Sequence, residues 1–111
     1  MHLTLNYMTE NQLHKQIEDI INSNKIVIVI KGTKQQPRCG FSREIVTLID
    51  SFDVDFSTFD ILENPEIRAE IKNYSNWPTF PQLYINGELI GGLDIVQQMY
   101  IAGELDDLIF E

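Results

Sequence analysis

The feature that most constrains the fold is an unbroken apolar run between two lysines. Residues 26–30 read Ile-Val-Ile-Val-Ile, and Lys25 and Lys31 close the run at its two ends. Successive side chains of a strand point to opposite faces, so a strand that is apolar at every position needs cover on both faces. Five residues are far fewer than the roughly 20 that span a membrane. The run therefore predicts a central strand in a sheet with helices on both sides.

Two helices are predicted around this strand from apolar residues at helical spacing. The first begins at Thr9, where Thr9 and Gln12 have the spacing of a capping box, and it ends at residues 22–24. The second ends near Ser51, and Cys39 lies just before it or in its first turn.

A second strand and a third helix follow. The strand is predicted at residues 55–59. The helix is predicted to begin at Asn64 as its cap, with Pro65 in the first helical position, and to end near Tyr74. A strand, a helix and a strand in this order predict a parallel pair with a crossover helix.

The last third of the chain contains a hairpin signal and two short helical patterns. Asn86-Gly87 separates strand-like residues 81–85 and 88–90, and this dipeptide is the strongest short-range indication of a tight hairpin. Asp94 is in position to cap a fourth helix, which Gly103 separates from a fifth. The predicted order αβαβαββαα implies an α/β fold of the thioredoxin-like arrangement, with a central four-stranded mixed sheet flanked by helices on both faces.

Charge and cysteine content narrow the classes of function. The net charge of −9 argues against nucleic acid and anionic membranes as partners. Six of the eight basic residues lie between positions 31 and 72, and residues 73–111 contain none, which favours a small anionic ligand near the middle of the chain. One cysteine excludes an internal disulfide, and the first residues lack the pattern of a secretion signal or transit peptide. We therefore expect a reducing intracellular compartment, either cytoplasm or mitochondrial matrix.

Cys39 is the candidate reactive group. A free cysteine is more often a small buried apolar residue, but this one follows a polar loop and precedes a helix, whose N-terminal N–H groups stabilise an anion. Arg38 and Lys31 are expected to favour the thiolate further, and Gly40 leaves room for a ligand backbone. Ser42 occupies the position where a dithiol redox enzyme carries its second cysteine. Any disulfide of Cys39 must therefore form with another molecule.

Four ordered motifs carry a resemblance to a known family. They are residues 31–33 (Lys-Gly-Thr), 39–42 (Cys-Gly-Phe-Ser), 76–83 (Asn-Trp-Pro-Thr-Phe-Pro-Gln-Leu), and 87–92 (Gly-Glu-Leu-Ile-Gly-Gly) followed by Asp94. With these motifs the chain resembles a monothiol glutaredoxin of the CGFS class, over residues 12–110. The resemblance implies one glutaredoxin domain over residues 1–111, of which residues 1–8 form a loose N-terminal extension.

The resemblance also implies a glutathione site. Pro81 matches the family's cis-proline opposite the thiol, and the backbone of Phe80 pairs with the cysteinyl unit of glutathione. The remaining implied contacts are the glycyl carboxylate at Lys31 and Arg68, the γ-glutamyl carboxylate at the backbone of Leu93 and Asp94, and the glutamyl ammonium at the Asp94 side chain.

Several of these residues also have ordinary structural interpretations. From the residues alone, Trp77-Pro78 and Phe80-Pro81 are equal candidates for a cis bond, and Asp94 is equally a helix cap. Lys72, one helical turn beyond Arg68, is a weaker candidate for the same carboxylate. Tyr74 and Trp77 are interpreted as packing residues, and His2 and His14 have no partners at metal-ligand spacing.

Two functions follow from the resemblance. In the first, Cys39 is the metal ligand of a [2Fe–2S] cluster that two chains and two glutathiones share. The homodimer transfers this cluster to apo iron–sulfur proteins. A BolA-like protein is an alternative partner to the second chain. In the second, Cys39 is catalytic in glutathione-dependent thiol–disulfide exchange, a weak monothiol oxidoreductase. Leu93 stands where some members have a second cysteine, which leaves glutathione as the resolving thiol in this second function. An interaction domain without thiol chemistry is the third alternative.

Overall fold

The structure is a computed structural model that describes residues 9–111, so the expected loose extension at residues 1–8 lies outside the described residues. None of the helices in this part of the chain has the length and hydrophobicity that a membrane crossing requires. The predicted order of elements is confirmed. The elements are α1 (Glu10–Ile21), β1 (Ile26–Ile30), α2 (Gly40–Asp50), β2 (Ser57–Asp60), α3 (Pro65–Ser75), β3 (Gln82–Ile85), β4 (Glu88–Gly91), α4 (Leu93–Ala102) and α5 (Glu104–Phe110).

The four strands form one mixed sheet in the order β2-β1-β3-β4. β1 runs parallel to β2, with Ile28 opposite Thr58, and antiparallel to β3, with Ile28 opposite Leu83. β3 and β4 pair antiparallel. The apolar run at residues 26–30 is therefore an inner strand, as its sequence predicts.

Two hydrophobic cores cover the opposite faces of β1. Ile26, Ile28 and Ile30 pack with residues of α2, α4 and α5, whereas Val27 and Val29 pack with residues of α1 and α3. All five side chains are buried. Because successive side chains of a strand point to opposite faces, the apolar run contacts both helical layers. Helices on both faces of the four-stranded sheet confirm the predicted thioredoxin-like fold.

The turn of the β3–β4 hairpin has the predicted backbone conformation. Asn86 and Gly87 have positive φ values of 54° and 78°, as a two-residue hairpin turn requires. Gly103, with φ of 80°, ends α4 and directly precedes α5. Both turns fall where the sequence indicates them.

Two predicted boundaries, those of β2 and α4, are wrong, whereas α3 begins at Asn64 and Pro65 as predicted. β2 begins at Ser57 rather than Asp55, because the pairing with β1 begins at Ser57 and the Asp55 carboxylate accepts a hydrogen bond from Asn24 instead. Asn64 is the N-cap of α3, but its side-chain amide donates to the Asp60 carbonyl (3.0 Å) and makes no cap hydrogen bond. Asp94 is not a cap, because α4 begins at Leu93 and Gly92 is its N-cap residue.

Candidate functional site

Cys39 is the N-cap residue of α2. Its Sγ accepts a hydrogen bond from the backbone N–H of Ser42 (3.4 Å) and lies 3.2 Å from the Ser42 hydroxyl. The side chain is partly exposed. Lys31, at the end of β1, donates its own backbone N–H to the same Ser42 oxygen (3.1 Å). The sulfur therefore lies at a helix N-terminus, as predicted, with a buried hydroxyl group beside it.

The environment lowers the pKa of the Cys39 thiol below its ordinary value. Burial alone raises this pKa. It is outweighed by four groups that lower the pKa, namely the Ser42 hydroxyl, the Ser42 backbone N–H, the Lys31 ammonium and the Phe41 backbone N–H. Because the Ser42 oxygen already accepts from Lys31, its own proton is available to a thiolate. Lys31 has the expected effect, whereas Arg38 is not among the groups that shift the pKa of the thiol.

A cavity of about 450 Å³ opens beside the thiol. Cys39 does not line it, but its neighbours Lys31 and Phe41 do. The other walls come from α3, from the loop before β3 and from the N-terminus of α4. The six residues that the resemblance assigns to glutathione all lie on this cavity, namely Lys31, Arg68, Phe80, Pro81, Leu93 and Asp94.

The cavity carries opposite charges on its walls. Lys31, Arg68 and Lys72 contribute three cationic side chains, and the Lys72 ammonium lies 5.7 Å from the centre of the Phe80 ring. On the wall formed by α4, Asp94 contributes a carboxylate beside the backbone N–H groups of the first helical turn, which have no partner within the helix. This arrangement suits a ligand that has two separated carboxylates and one ammonium group.

The loop before β3 forms the wall of the cavity that contains Pro81. The Phe80–Pro81 peptide bond is cis, as the resemblance implies. From the residues alone, Pro78 and Pro81 are equal candidates for this bond. Pro81 itself is buried.

A buried glutamine to which the sequence motifs assign no role, Gln82, holds this loop in place. The Gln82 amide donates to the carbonyl groups of Trp77 (3.1 Å) and Thr79 (3.2 Å), and its oxygen accepts from the Tyr84 hydroxyl (2.8 Å). Burial raises the pKa of Tyr84 to about 12, so the phenol remains a hydrogen-bond donor. In the sequence, the indication of this role is one amide side chain, Gln82, at the start of an otherwise apolar strand, because a buried amide needs hydrogen-bond partners.

Two residues interpreted as packing have more specific surroundings. Trp77 lines the cavity, and its indole N–H is buried without an acceptor among residues 9–111. Tyr74 packs edge-on against the His14 ring, with centroids 5.3 Å apart.

His14, to which the sequence assigns no metal-ligand partner, has two carboxylates near it in the structure. Its Nε2 lies 2.8 Å from the Glu70 carboxylate, and Glu10 completes a group of three potential ligands. Glu70 is 56 positions away in the chain, so no local spacing indicates the pair. His2 lies outside the described residues.

Sequence comparisons place these features in a family. The glutaredoxin family model matches residues 26–90. A probable monothiol glutaredoxin 2 of Rickettsia typhi is 47% identical over 102 residues, which cover 92% of each chain. Monothiol glutaredoxin-S11 of rice is 49% identical over 92% of this chain, but the chain spans only 21% of the rice protein's length.

Solved structures agree with the sequence relatives. Reduced apo GrxS14 of poplar superposes with a TM-score of 0.79 at 43% identity, covering 89% of this chain and 91% of that chain. A monomeric truncated mutant of Trypanosoma brucei 1-C-Grx1 superposes with a TM-score of 0.78 at 36% identity, covering 94% and 91%. With its single cysteine at the start of α2, the chain belongs to the monothiol glutaredoxins of the glutaredoxin family.

Proposed function

We propose that the chain binds glutathione in the cavity and that two chains together carry a [2Fe–2S] cluster as cargo for apo iron–sulfur proteins. The observation that supports this most directly is the combination of one thiol of lowered pKa with an adjacent cavity that has cations on one wall and a helix N-terminus on another. A thiolate is the form that binds iron.

Glutathione matches the cavity group by group. Its glycyl carboxylate is proposed to lie at Lys31 and Arg68, and its γ-glutamyl carboxylate at the N–H groups of Leu93 and Asp94. The Asp94 carboxylate then receives the glutamyl ammonium, and the backbone at Phe80 pairs with the cysteinyl unit as an added strand would. This orientation directs the glutathione sulfur toward the Cys39 side of the cavity.

The proposal of two chains rests on the number of thiolates. A [2Fe–2S] cluster has four cysteine ligands, whereas this chain has one cysteine. Two chains and two glutathiones supply four sulfurs, and a BolA-like protein is the alternative partner for one chain. Phe41, next to Cys39, is 63% exposed and offers an apolar surface that a second chain would cover.

The lowered pKa of Cys39 favours thiol–disulfide exchange as the second candidate function. The Cys39 thiolate would attack the glutathione sulfur of a protein–glutathione disulfide, forming a Cys39–glutathione disulfide and releasing the protein thiolate. A second glutathione thiolate would then attack that disulfide, which yields oxidised glutathione and restores the Cys39 thiolate. Both functions need reduced glutathione, so we place them in a reducing compartment, either cytoplasm or mitochondrial matrix.

Anaerobic reconstitution with iron, sulfide and glutathione tests the cluster proposal. Visible absorption reports cluster binding, and size exclusion reports whether the coloured species contains two chains. We expect a coloured dimer for the wild type only when glutathione is present, and a colourless monomer for Cys39→Ser. Arg68→Gln should need roughly two- to tenfold more glutathione for half-maximal colour, because it removes one carboxylate partner.

Three results would contradict the proposal. Colour in Cys39→Ser or without glutathione would reject the ligand set, and an unchanged glutathione requirement in Arg68→Gln would reject the proposed orientation. A colourless monomeric wild type with rapid turnover of a glutathionylated peptide would instead establish thiol–disulfide exchange. The single tryptophan, Trp77, lines the cavity, so its fluorescence measures glutathione binding independently of the cluster.

A further inference from the structure

Three side chains with metal-binding chemistry meet on the face of the molecule formed by α1 and α3. Glu10 and His14 are separated by four positions on α1, so their side chains lie on the same helical face. α1 packs against α3, from which Glu70 faces His14. None of the three lines the cavity beside Cys39.

The distances are close to those of a metal site. His14 Nε2 and a Glu70 carboxylate oxygen are 2.8 Å apart, and the ligand atoms of all three residues lie within 4.8 Å of one another. Ligands around tetrahedral zinc are separated by about 3.3–3.6 Å, since each bond is roughly 2.0–2.2 Å long. Binding therefore requires the three side chains to move from their present separations, which are at most 4.8 Å, to that spacing.

The surroundings of the group favour a cation. His14 and Glu70 side chains are 36% and 19% exposed, so an ion reaches them from solvent while the surrounding protein partly excludes water. Tyr74 packs against the His14 ring and limits its rotation. No lysine or arginine within residues 9–111 forms an ion pair with Glu10 or Glu70, which leaves two carboxylates facing one imidazole.

We propose that Glu10, His14 and Glu70 bind one divalent transition-metal ion of the zinc class and thereby link α1 to α3. One imidazole nitrogen and two carboxylate oxygens are ligands that zinc accepts in proteins, and solvent supplies the fourth. The ion replaces the hydrogen bond between His14 Nε2 and Glu70. The bridging proton is released to solvent, and the metal-bound imidazole is the tautomer with its proton on Nδ1. The site is separate from the proposed cluster and does not depend on Cys39.

Zinc competition with a chromogenic indicator tests the site in the full chain. The background is Cys39→Ser with His2→Gln, which removes the other thiolate and imidazole ligands and leaves His14 as the only histidine. We expect one equivalent of zinc to bind and to raise the melting temperature. His14→Gln, Glu10→Gln and Glu70→Gln should each weaken binding at least roughly tenfold, whereas magnesium should not compete.

Asp19→Asn is the matched control, because Asp19 is an exposed carboxylate on α1 that pairs with Lys15 rather than with the group. It should change zinc affinity by less than about twofold. Manganese should broaden the amide resonances near Glu10, His14 and Glu70 in this background. Zinc affinity that is absent, or equal in His14→Gln and Asp19→Asn, would overturn the proposal, as would broadening centred elsewhere.

Discussion

At Cys39, burial and hydrogen bonding act on the thiol in opposite directions. Burial favours the neutral form, and the groups at the start of α2 favour the thiolate strongly enough to reverse that effect. The Ser42 hydroxyl is the largest of the lowering influences, and it is fully buried. Its position is maintained by the Lys31 N–H, so the end of β1 orients the donor that activates the sulfur.

Ser42→Ala should therefore raise the Cys39 pKa toward its ordinary value. The thiolate is populated above the pKa, so a higher pKa leaves less thiolate at pH 7 and slows alkylation by iodoacetamide. We expect a decrease of roughly two- to tenfold at pH 7. The two rates should converge at a pH above both pKa values, where each thiol is ionised.

Ser51→Ala serves as the control, because the hydroxyl of this exposed serine lies at the other end of α2 and donates to the Leu48 carbonyl. Its alkylation profile should match that of the wild type. Coinciding profiles for Ser42→Ala and the wild type would mean that the helix terminus and Lys31 alone set the thiol pKa.

At the scale of the elements, the junction of β4 and α4 contains two neighbouring glycines, Gly91 and Gly92, whose backbone conformations and surroundings differ. Gly91 has φ of 150°, and a Cβ there would meet Ile95 side-chain atoms at 2.9–3.1 Å. Gly92 has φ of −93°, and a Cβ there would meet only ordinary contacts, the nearest being the Pro81 carbonyl at 3.4 Å. The backbone turn into the helix thus depends on one glycine of the pair.

Gly91→Ala should destabilise the fold by about 1–3 kcal/mol, because it places a side chain in a strained backbone region against α4. Gly92→Ala, the matched variant, should cost less than about 1 kcal/mol, since its backbone conformation suits any residue. Urea unfolding followed by circular dichroism measures both. Equal losses in the two variants would show that strain at Gly91 does not control this junction.

On the scale of the whole molecule, charge and apolar surface are distributed unevenly. The chain carries a net charge of −9, yet three cationic side chains line the cavity, so an anionic ligand is attracted locally against the overall field. Beside this cavity, Phe41 is largely exposed, while Ile101 is even more exposed and does not line it. The second chain that we propose to share a cluster would cover Phe41.

Phe41→Gln should lower the yield of cluster-bridged dimer, because removing one buried aromatic contact at each copy weakens association by at least about 1.4 kcal/mol, or tenfold. Size exclusion after anaerobic reconstitution measures the yield, and Trp77 fluorescence reports whether glutathione still binds. Ile101→Gln, which removes an even more exposed apolar side chain, should leave both unchanged. The same dimer yield in the two variants would place the contact between chains elsewhere.

Local sequence patterns determined the order of the elements, the inner position of β1, the hairpin turn at residues 86–87 and the placement of Cys39 before α2. Each depends on the periodicity of apolar residues or on the backbone preferences of residues adjacent in the chain. These forces act within a few residues, so the sequence alone carries the information.

Contacts between distant residues were decided only by the tertiary structure. Three features depend on how helices and loops pack on the sheet. They are the hydrogen bond between His14 and Glu70, the hydrogen bond from Gln82 to the Trp77 carbonyl, and the cis bond before Pro81. The same holds for the Asn64 side chain, which reached a carbonyl at the end of β2 instead of capping its helix. Hydrogen bonds of similar energy compete at such positions, and packing determines which partner comes within reach.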